Sequence, residues 1–316
     1  MIYYHSFVNR LFLKNFKRRS ALQISTNVFL CNNKTIKTQN KIQQRIGFIG
    51  DGNMSKAIFR SMIKYNLIDT SQVYVASPFK QNLDIWVKWN ANVTLDNSEV
   101  TEKCDIIFLA VKPYLLSNAV ATMYSEKKLK KISNKLFVSI LAGITLETLE
   151  NVLSKFPGSR VIRVLPNTPM LVGEGCSIFC PGKYATREDI DLLQIILNTS
   201  GISEQVPENM INPIGALSGS GPAFVYLIIE ALSDGCVRMG VHRDIATKFA
   251  AKTVLGAAKM VLETNKHPGV LKDEVCSAGG TTIAGIHALE KAGVRGGMMN
   301  AIEASAIRAV EVGKQK

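Results

Sequence analysis

The sequence predicts an α/β fold class: a parallel-sheet domain over residues 45–206, followed by an all-α domain over 207–316. Three observations point there. Short apolar runs alternate with helical periodicity as far as Val164, a glycine-rich turn joins the first run to the first helix, and strand signals stop after about Pro207. Near-continuous apolar strands alternating with helices read as a parallel sheet covered on both faces.

The segment before the sheet, residues 1–44, is set apart by composition. The first 45 residues hold nine Lys and Arg and no Asp or Glu. Drawn as a helix, 7–19 puts Phe7, Val8, Leu11, Phe12 and Phe16 mostly on one side and Arg10, Lys14, Lys17 and Arg18 mostly on the other. A basic, amphipathic, acid-poor start reads as a mitochondrial transit peptide. A basic tail with no address, on a cytoplasmic protein, has the same composition.

The first strand is Arg45 to Gly50, running into Gly50-Asp51-Gly52-Asn53-Met54-Ser55 and a helix with Ala57, Ile58, Met62 and Ile63 on one side. This is the strand–turn–helix of a Rossmann fingerprint. Gly50 permits the tight turn, Gly52 lets the backbone approach a pyrophosphate, and the helix N-terminus offers free N–H groups to the phosphates. Ser55 takes the third position, where Gly or Ala is usual.

The second strand, Gln72 to Ala76, runs into Ser77-Pro78-Phe79-Lys80 with no acid to accept from a ribose 2′-OH. Ser77 can hydrogen-bond a 2′-phosphate and Lys80 can offset its charge, so NADPH is the preferred cofactor and NADH a possible one. Further strands at 105–110, 136–140 and 160–164 alternate with helices around 80–90, 113–125 and 145–155. Two loops leave the C-terminal ends of strands, where ligands bind in open α/β sheets: Ala110-Val111-Lys112-Pro113 and Leu141-Ala142-Gly143.

In the second domain, 210–233, 243–263, 281–292 and 297–312 read as helices, the first interrupted at Gly219-Ser220-Gly221-Pro222. Faces rich in Ala and Gly imply close helix packing and burial in an oligomer. Val275-Cys276-Ser277-Ala278-Gly279-Gly280-Thr281-Thr282 precedes a helix. It reads either as an anion site of free backbone N–H groups, suited to a small-molecule carboxylate, or as an ordinary capped helix start.

Composition removes other classes. The net charge of +13 falls to 29 basic against 25 acidic residues once the first 45 are set aside, with no basic stripe interleaved with aromatics, so no nucleic-acid partner is expected. Six cysteines form no C-x-x-C pair, and no metal site is expected; they read as reduced thiols of an intracellular protein. No apolar run reaches the roughly 18 residues of a membrane span, Ala223 to Leu232 being too short and holding Glu230, so no membrane partner is expected.

Four motifs in one order, Gly47 to Met54, Ala110 to Pro113, Leu217 to Ala223 and Ser277 to Thr282, resemble pyrroline-5-carboxylate reductase, from about residue 45 to the C-terminus. The resemblance implies a Rossmann domain followed by an all-α dimerisation domain, homodimers that assemble further, commonly into decamers, and NAD(P)H-dependent reduction of L-1-pyrroline-5-carboxylate to L-proline. It places Gly50, Asp51, Gly52, Asn53 and Met54 at the cofactor phosphates and Ser77 near the adenosine ribose. Asn97, Ala110, Lys112, Pro113, Ala142 and Gly143 line the rest of the cofactor site. It puts the substrate carboxylate on Ser277, Gly279, Gly280 and Thr281, Thr282 at the ring nitrogen, and Glu208 beside the substrate. Two positions depart from the family: Ser55 often being Ala, and Glu274 frequently being Asn.

Thr282 is the catalytic candidate, as donor to the ring nitrogen, with positioning supplying the rest. His242, His267 and His287 read as structural. Two alternatives share the cofactor half: a related β-hydroxyacid or imine reductase, and a non-catalytic NADPH-binding sensor. The Ser277–Thr282 loop argues against both.

Overall fold

The computed structural model describes residues 41–124 and 132–314; nearly all of the basic extension read over 1–44 lies outside them. Packing starts before Arg45. Ile42 is buried, and its N–H donates to the Leu67 carbonyl at 2.8 Å.

The sheet half comprises β1 (Ile46–Ile49), α1 (Asn53–Lys64), β2 (Val73–Ala76), α2 (Lys80–Lys88), β3 (Asn92–Thr94), α3 (Asn97–Lys103) and β4 (Ile106–Leu109). It continues with α4 (Leu116–Ala121), β5 (Leu136–Ser139), α5 (Leu146–Leu153), β6 (Arg160–Leu165), β7 (Gly175–Pro181), α6 (Arg187–Asn198) and β8 (Gly201–Gln205). The eight strands lie in the order β3-β2-β1-β4-β5-β6-β7-β8. All neighbours are parallel except β6 and β7. Strand order reverses at β1, which pairs with β2 on one side and β4 on the other, and the crevice beyond their C-terminal ends is where such sheets bind ligands.

Both faces of the sheet are dry. On one, Phe48, Phe59, Trp86 and Phe108 are all buried, with ring centroids 5.0 Å apart for Phe48–Phe108 and for Phe59–Trp86. Such pairs add about 0.5–1.5 kcal/mol each beyond their area burial. On the other, Ile107, Phe137, Leu149 and Phe156 form a second cluster. Gly47 is required by packing: a Cβ there would stand 2.4 Å from Val100 Cγ1 of α3.

The helical half starts with a short turn at Glu208–Met210, then α7 (Ile211–Gly215), a π-helical segment Ala216–Ser220 and α8 (Gly221–Arg238). The interruption expected at Gly219–Pro222 is this π segment, and the helix runs on through it from Glu208 to Arg238. That helix is longer than the apolar run Ala223–Leu232 within it, and by length and composition alone it passes for a membrane span, a test that core helices of soluble proteins also pass. After it come α9 (Arg243–Thr264), α10 (Pro268–Val275), α11 (Thr281–Lys291) and α12 (Val294–Lys314).

These helices bury little of themselves. In α8 only Ser233 is buried, in α9 only Ala246 and Ala250, and in α10 and α11 nothing. Tyr226, Leu227, Phe249 and Leu262 are each more than 60% exposed in the single chain. Fully burying such a side chain is worth about 1.5–3 kcal/mol, so this surface is built to be covered.

Candidate active site

The phosphate turn is held open by geometry. Gly50 has φ +110°, a region that disfavours side chains, and a Cβ there would stand 2.5 Å from the Ala110 carbonyl oxygen. The fingerprint turn and the Ala110–Pro113 loop are thus in contact. Gly52 is different: nothing lies within 4 Å of its Cβ position, so the space it leaves faces outward. Gly52 is also the N-cap of α1, with no side-chain cap and no acid in the first turn. The N–H groups at Asn53 and Met54 therefore have no acceptor within the helix, an arrangement that suits a pyrophosphate.

Ser55 is fully buried and its Oγ donates to the Gly50 carbonyl at 2.8 Å. The departure from Ala at this position thus adds a strut across the turn.

At the end of β2, Ser77 is buried rather than presented. Its Oγ accepts the Phe79 N–H at 3.2 Å and shapes the loop. The exposed cation there is Lys80, the first residue of α2, whose start has no side-chain cap and no acid in its first turn. A cation on an uncapped helix start suits a 2′-phosphate. Asn97 opens α3, its amide donating to Thr122 Oγ1 at 2.8 Å.

Lys112 is exposed and caps a 3₁₀ turn beginning at Pro113. Gly143, with φ +78°, lies between β5 and α5 next to Ala142. Glu208 reaches this edge: its Oε1 accepts the Leu146 N–H at 2.7 Å and an Arg163 Nη1 hydrogen at 2.8 Å. The Arg163 side chain is only 5% exposed.

The loop before α11 is a helix start that no side chain caps, so it is not the ordinary capped start. Its N-cap is Gly280. Gly279 has φ +66°, which favours glycine, and a Cβ on Gly280 would stand 2.3 Å from Ser277 Oγ and 3.2 Å from the Ser277 carbonyl oxygen, so a side chain there would displace the Ser277 hydroxyl. The Gly280 N–H folds back to the Ser277 carbonyl at 3.1 Å, and the N–H groups of Thr281 and Thr282, in the first turn of α11, have no acceptor within the helix. Free N–H groups beside a glycine turn suit an anion. Thr282 is half-buried in the first turn of α11. Glu208 is thus joined to Leu146 and Arg163 of the sheet half, whereas the Ser277–Thr282 loop is carried by α11, which packs on α12.

Other residues resolve simply. His242 and His267 are N-caps of α9 and α10, and His267 Nδ1 accepts the Gly269 N–H at 3.1 Å. Glu274 pairs with Lys266 at 2.5 Å. The described cysteines are all free. Sequence reasoning passed over Arg163 and Asn167. Asn167 is buried, its Nδ2 donating to the Ser218 carbonyl in the π segment at 2.9 Å and its Oδ1 accepting the Cys176 N–H at 2.8 Å. A lone Asn in a loop and an Arg inside a strand carry no signal until the strand order is known.

Comparison with known proteins bears on both halves. Residues 208–312 match the family model described as pyrroline-5-carboxylate reductase dimerisation, and residues 45–143 match one described as NADP oxidoreductase, coenzyme F420-dependent. The chain is 43% identical over 273 residues to the pyrroline-5-carboxylate reductase of Methanosarcina acetivorans, covering 86% of this chain and 99% of that protein. It is 42% identical over 270 residues to the Arabidopsis thaliana enzyme of the same name, covering 85% and 95%. The crystal structure of Plasmodium falciparum pyrroline carboxylate reductase with NADP bound superposes with a TM-score of 0.77 at 31% identity, covering 87% of this chain and 100% of that one.

Proposed function

Because the chain belongs to the pyrroline-5-carboxylate reductase family, we propose that the uncapped starts of α1 and α11 are the two ends of one reductase site. The reaction is NAD(P)H-dependent reduction of the C=N bond of L-1-pyrroline-5-carboxylate to L-proline, with NADP as the cofactor. Bound NADPH supplies the hydride. What remains for the chain is binding, orientation and a hydrogen bond to the ring nitrogen, which fits a site without a convincing general acid.

The residues divide this work. Gly50, Asp51, Gly52, Asn53 and Met54 cradle the pyrophosphate. Lys80 meets the 2′-phosphate, and Ser77 shapes the loop that presents it. Asn97, Ala110, Lys112, Pro113, Ala142 and Gly143 line the path to the nicotinamide. Ser277, Gly279, Gly280 and Thr281 receive the substrate carboxylate through backbone N–H groups, Thr282 donates to the ring nitrogen, and Glu208 stands beside the substrate. NADH is accepted more weakly, since Lys80 then has no phosphate to meet.

The single observation that carries this reading is the Ser277–Thr282 loop, with Gly280 uncapped and Gly279 left-handed, on the dimerisation segment. The chain is a homo-oligomer by its dimerisation domain. We place the two halves of the site together in that dimer, and dimers in a larger assembly such as the decamer. The acid-free basic start supports a mitochondrial address and a place in proline biosynthesis there. The test is loss of reduced-nicotinamide absorbance with pyrroline-5-carboxylate, with NADPH and NADH in separate assays. Oxidation with proline as product supports the reading; a folded, NADPH-binding protein that leaves the cofactor unoxidised removes it.

A further inference from the structure

Arg163 is an unusual residue for the interior of a sheet. It is the fourth residue of β6, flanked in register by Ser139 of β5 and Cys180 of β7, and its side chain is 5% exposed. A buried guanidinium is costly unless paired and hydrogen-bonded. Its carboxylate partner, Glu208, comes from the first turn of the helical half, 45 residues away.

The same oxygen of Glu208 also takes the N–H of Leu146, the first residue of α5. Arg163 therefore brackets the segment from Ile140 to Thr145 at both ends. At one end its backbone is in register with Ser139, where β5 finishes. At the other its side chain holds Glu208 against the start of α5. Between these points lie Ala142 and the left-handed Gly143. The other carboxylate oxygen, Oε2, has no hydrogen-bond partner among the described residues, and the Glu208 side chain remains 35% exposed.

We infer that Arg163 is a positioning residue for the reduction: acting through Glu208, it fixes the Ala142–Gly143 segment against the helical half and turns the free carboxylate oxygen toward the substrate. This rests on the reading of the site given above. Buried charge pairs with good geometry are strong orienting devices, because breaking one leaves an uncompensated charge. A shift of about an ångström in a nicotinamide-side segment costs rate far more than it costs cofactor binding.

The test uses the full chain with R163M, R163K, E208A and the R163M/E208A double variant. Two readouts are taken: steady-state kinetics with pyrroline-5-carboxylate and NADPH, and hydrogen–deuterium exchange of residues 144–149. R163M and E208A should each lower kcat/KM for the substrate tenfold or more, with NADPH affinity within about twofold of wild type. The double variant should lose no more than the worse single one, since both act through one contact. Exchange at 144–149 should rise in both single variants, and R163K should recover part of both losses. R163K, which keeps a charge in the site, carries the comparison where R163M does not fold.

Substrate kcat/KM within twofold of wild type in R163M, unchanged exchange at 144–149, or losses that add in the double variant would overturn the inference. Wild-type protein that does not oxidise NADPH with pyrroline-5-carboxylate removes the substrate reading instead. Raised exchange in R163M and E208A would then still support Arg163 as the clamp on this segment, and unchanged exchange would discard it.

Discussion

The Ser55 hydroxyl donates to the carbonyl of Gly50 at 2.8 Å, so the third position of the glycine fingerprint braces the first. Ser55 is fully buried, and water cannot replace the bond at no cost. Ser55→Ala should lower stability by about 0.5–1.5 kcal/mol, the net worth of such a bond. Loss of the brace should also raise the NADPH dissociation constant a few-fold while kcat stays near wild type. Thermal unfolding and a fluorescence titration with NADPH check both halves.

Two glycines of the same turn should behave in opposite ways. Gly50→Ala drives a methyl group into the Ala110 carbonyl at a φ that L residues avoid, so the protein should be destabilised by several kcal/mol. Gly52→Ala puts its methyl into open space and should leave the melting temperature within a few degrees, yet weaken NADPH binding tenfold or more. Calorimetry alongside cofactor titration separates them; equal destabilisation by both would contradict the assignment of Gly52 to the phosphates.

Lys80→Ala should raise KM for NADPH about tenfold and leave KM for NADH within twofold. The lost interaction is with the 2′-phosphate, and a screened surface charge–phosphate contact is worth on the order of 1 kcal/mol or somewhat more. The NADPH effect should shrink as ionic strength rises. A parallel loss with both cofactors would place Lys80 elsewhere.

On the substrate side, Thr282→Ala should cut kcat with NADPH affinity nearly unchanged, because a donor to the ring nitrogen matters only in the reaction. Gly280→Ala should instead raise KM for pyrroline-5-carboxylate, since a Cβ there displaces the Ser277 hydroxyl and deforms the loop. Steady-state kinetics on the two variants should therefore split between kcat and KM. Equal turnover in Thr282→Ala removes that residue from the mechanism.

Burial pushes the Cys104 thiol from 9.0 up to about 12, against a smaller opposing pull from Lys135. A raised folded-state value favours the protonated form in the native state. Its contribution is therefore complete below pH 9 and is lost as pH rises from there toward 12. Stability of the wild type should fall more steeply than that of Cys104→Ala across this window, although the variant starts lower because of its cavity. Parallel pH profiles of urea unfolding make the comparison.

Much of the sheet was readable from sequence because its central strands are buried on both faces. Ile46 to Ile49 and Ile106 to Leu109 are unbroken apolar runs, and a parallel interior strand has no reason to alternate. The outer strands lack that mark. Asn92–Thr94 is three residues long, and Gly201–Gln205 is largely polar and exposed on the sheet edge. β7 ends in Pro181 and runs antiparallel to β6, a geometry no local pattern encodes. α10 lies between the helices expected from sequence; it is only eight residues long and opens on Pro268 and Gly269, although Pro is well placed at a helix N1 position. The candidate site followed the same rule. Motifs contiguous in sequence, such as Gly50–Met54 and Ser277–Thr282, stand out there as candidates, the second with its role implied only by the family resemblance. Contacts that join distant segments, such as Arg163 with Glu208 and Asn167 with Ser218, needed the fold.

The sparse burial within α8 to α11 has a thermodynamic consequence. When most of the apolar surface of a domain finds cover only on another subunit, folding of that domain and association become one equilibrium governed by mass action. The melting temperature of this protein is then a function of its concentration. On dilution the helical half should loosen before the sheet, whose two cores are complete within the single chain.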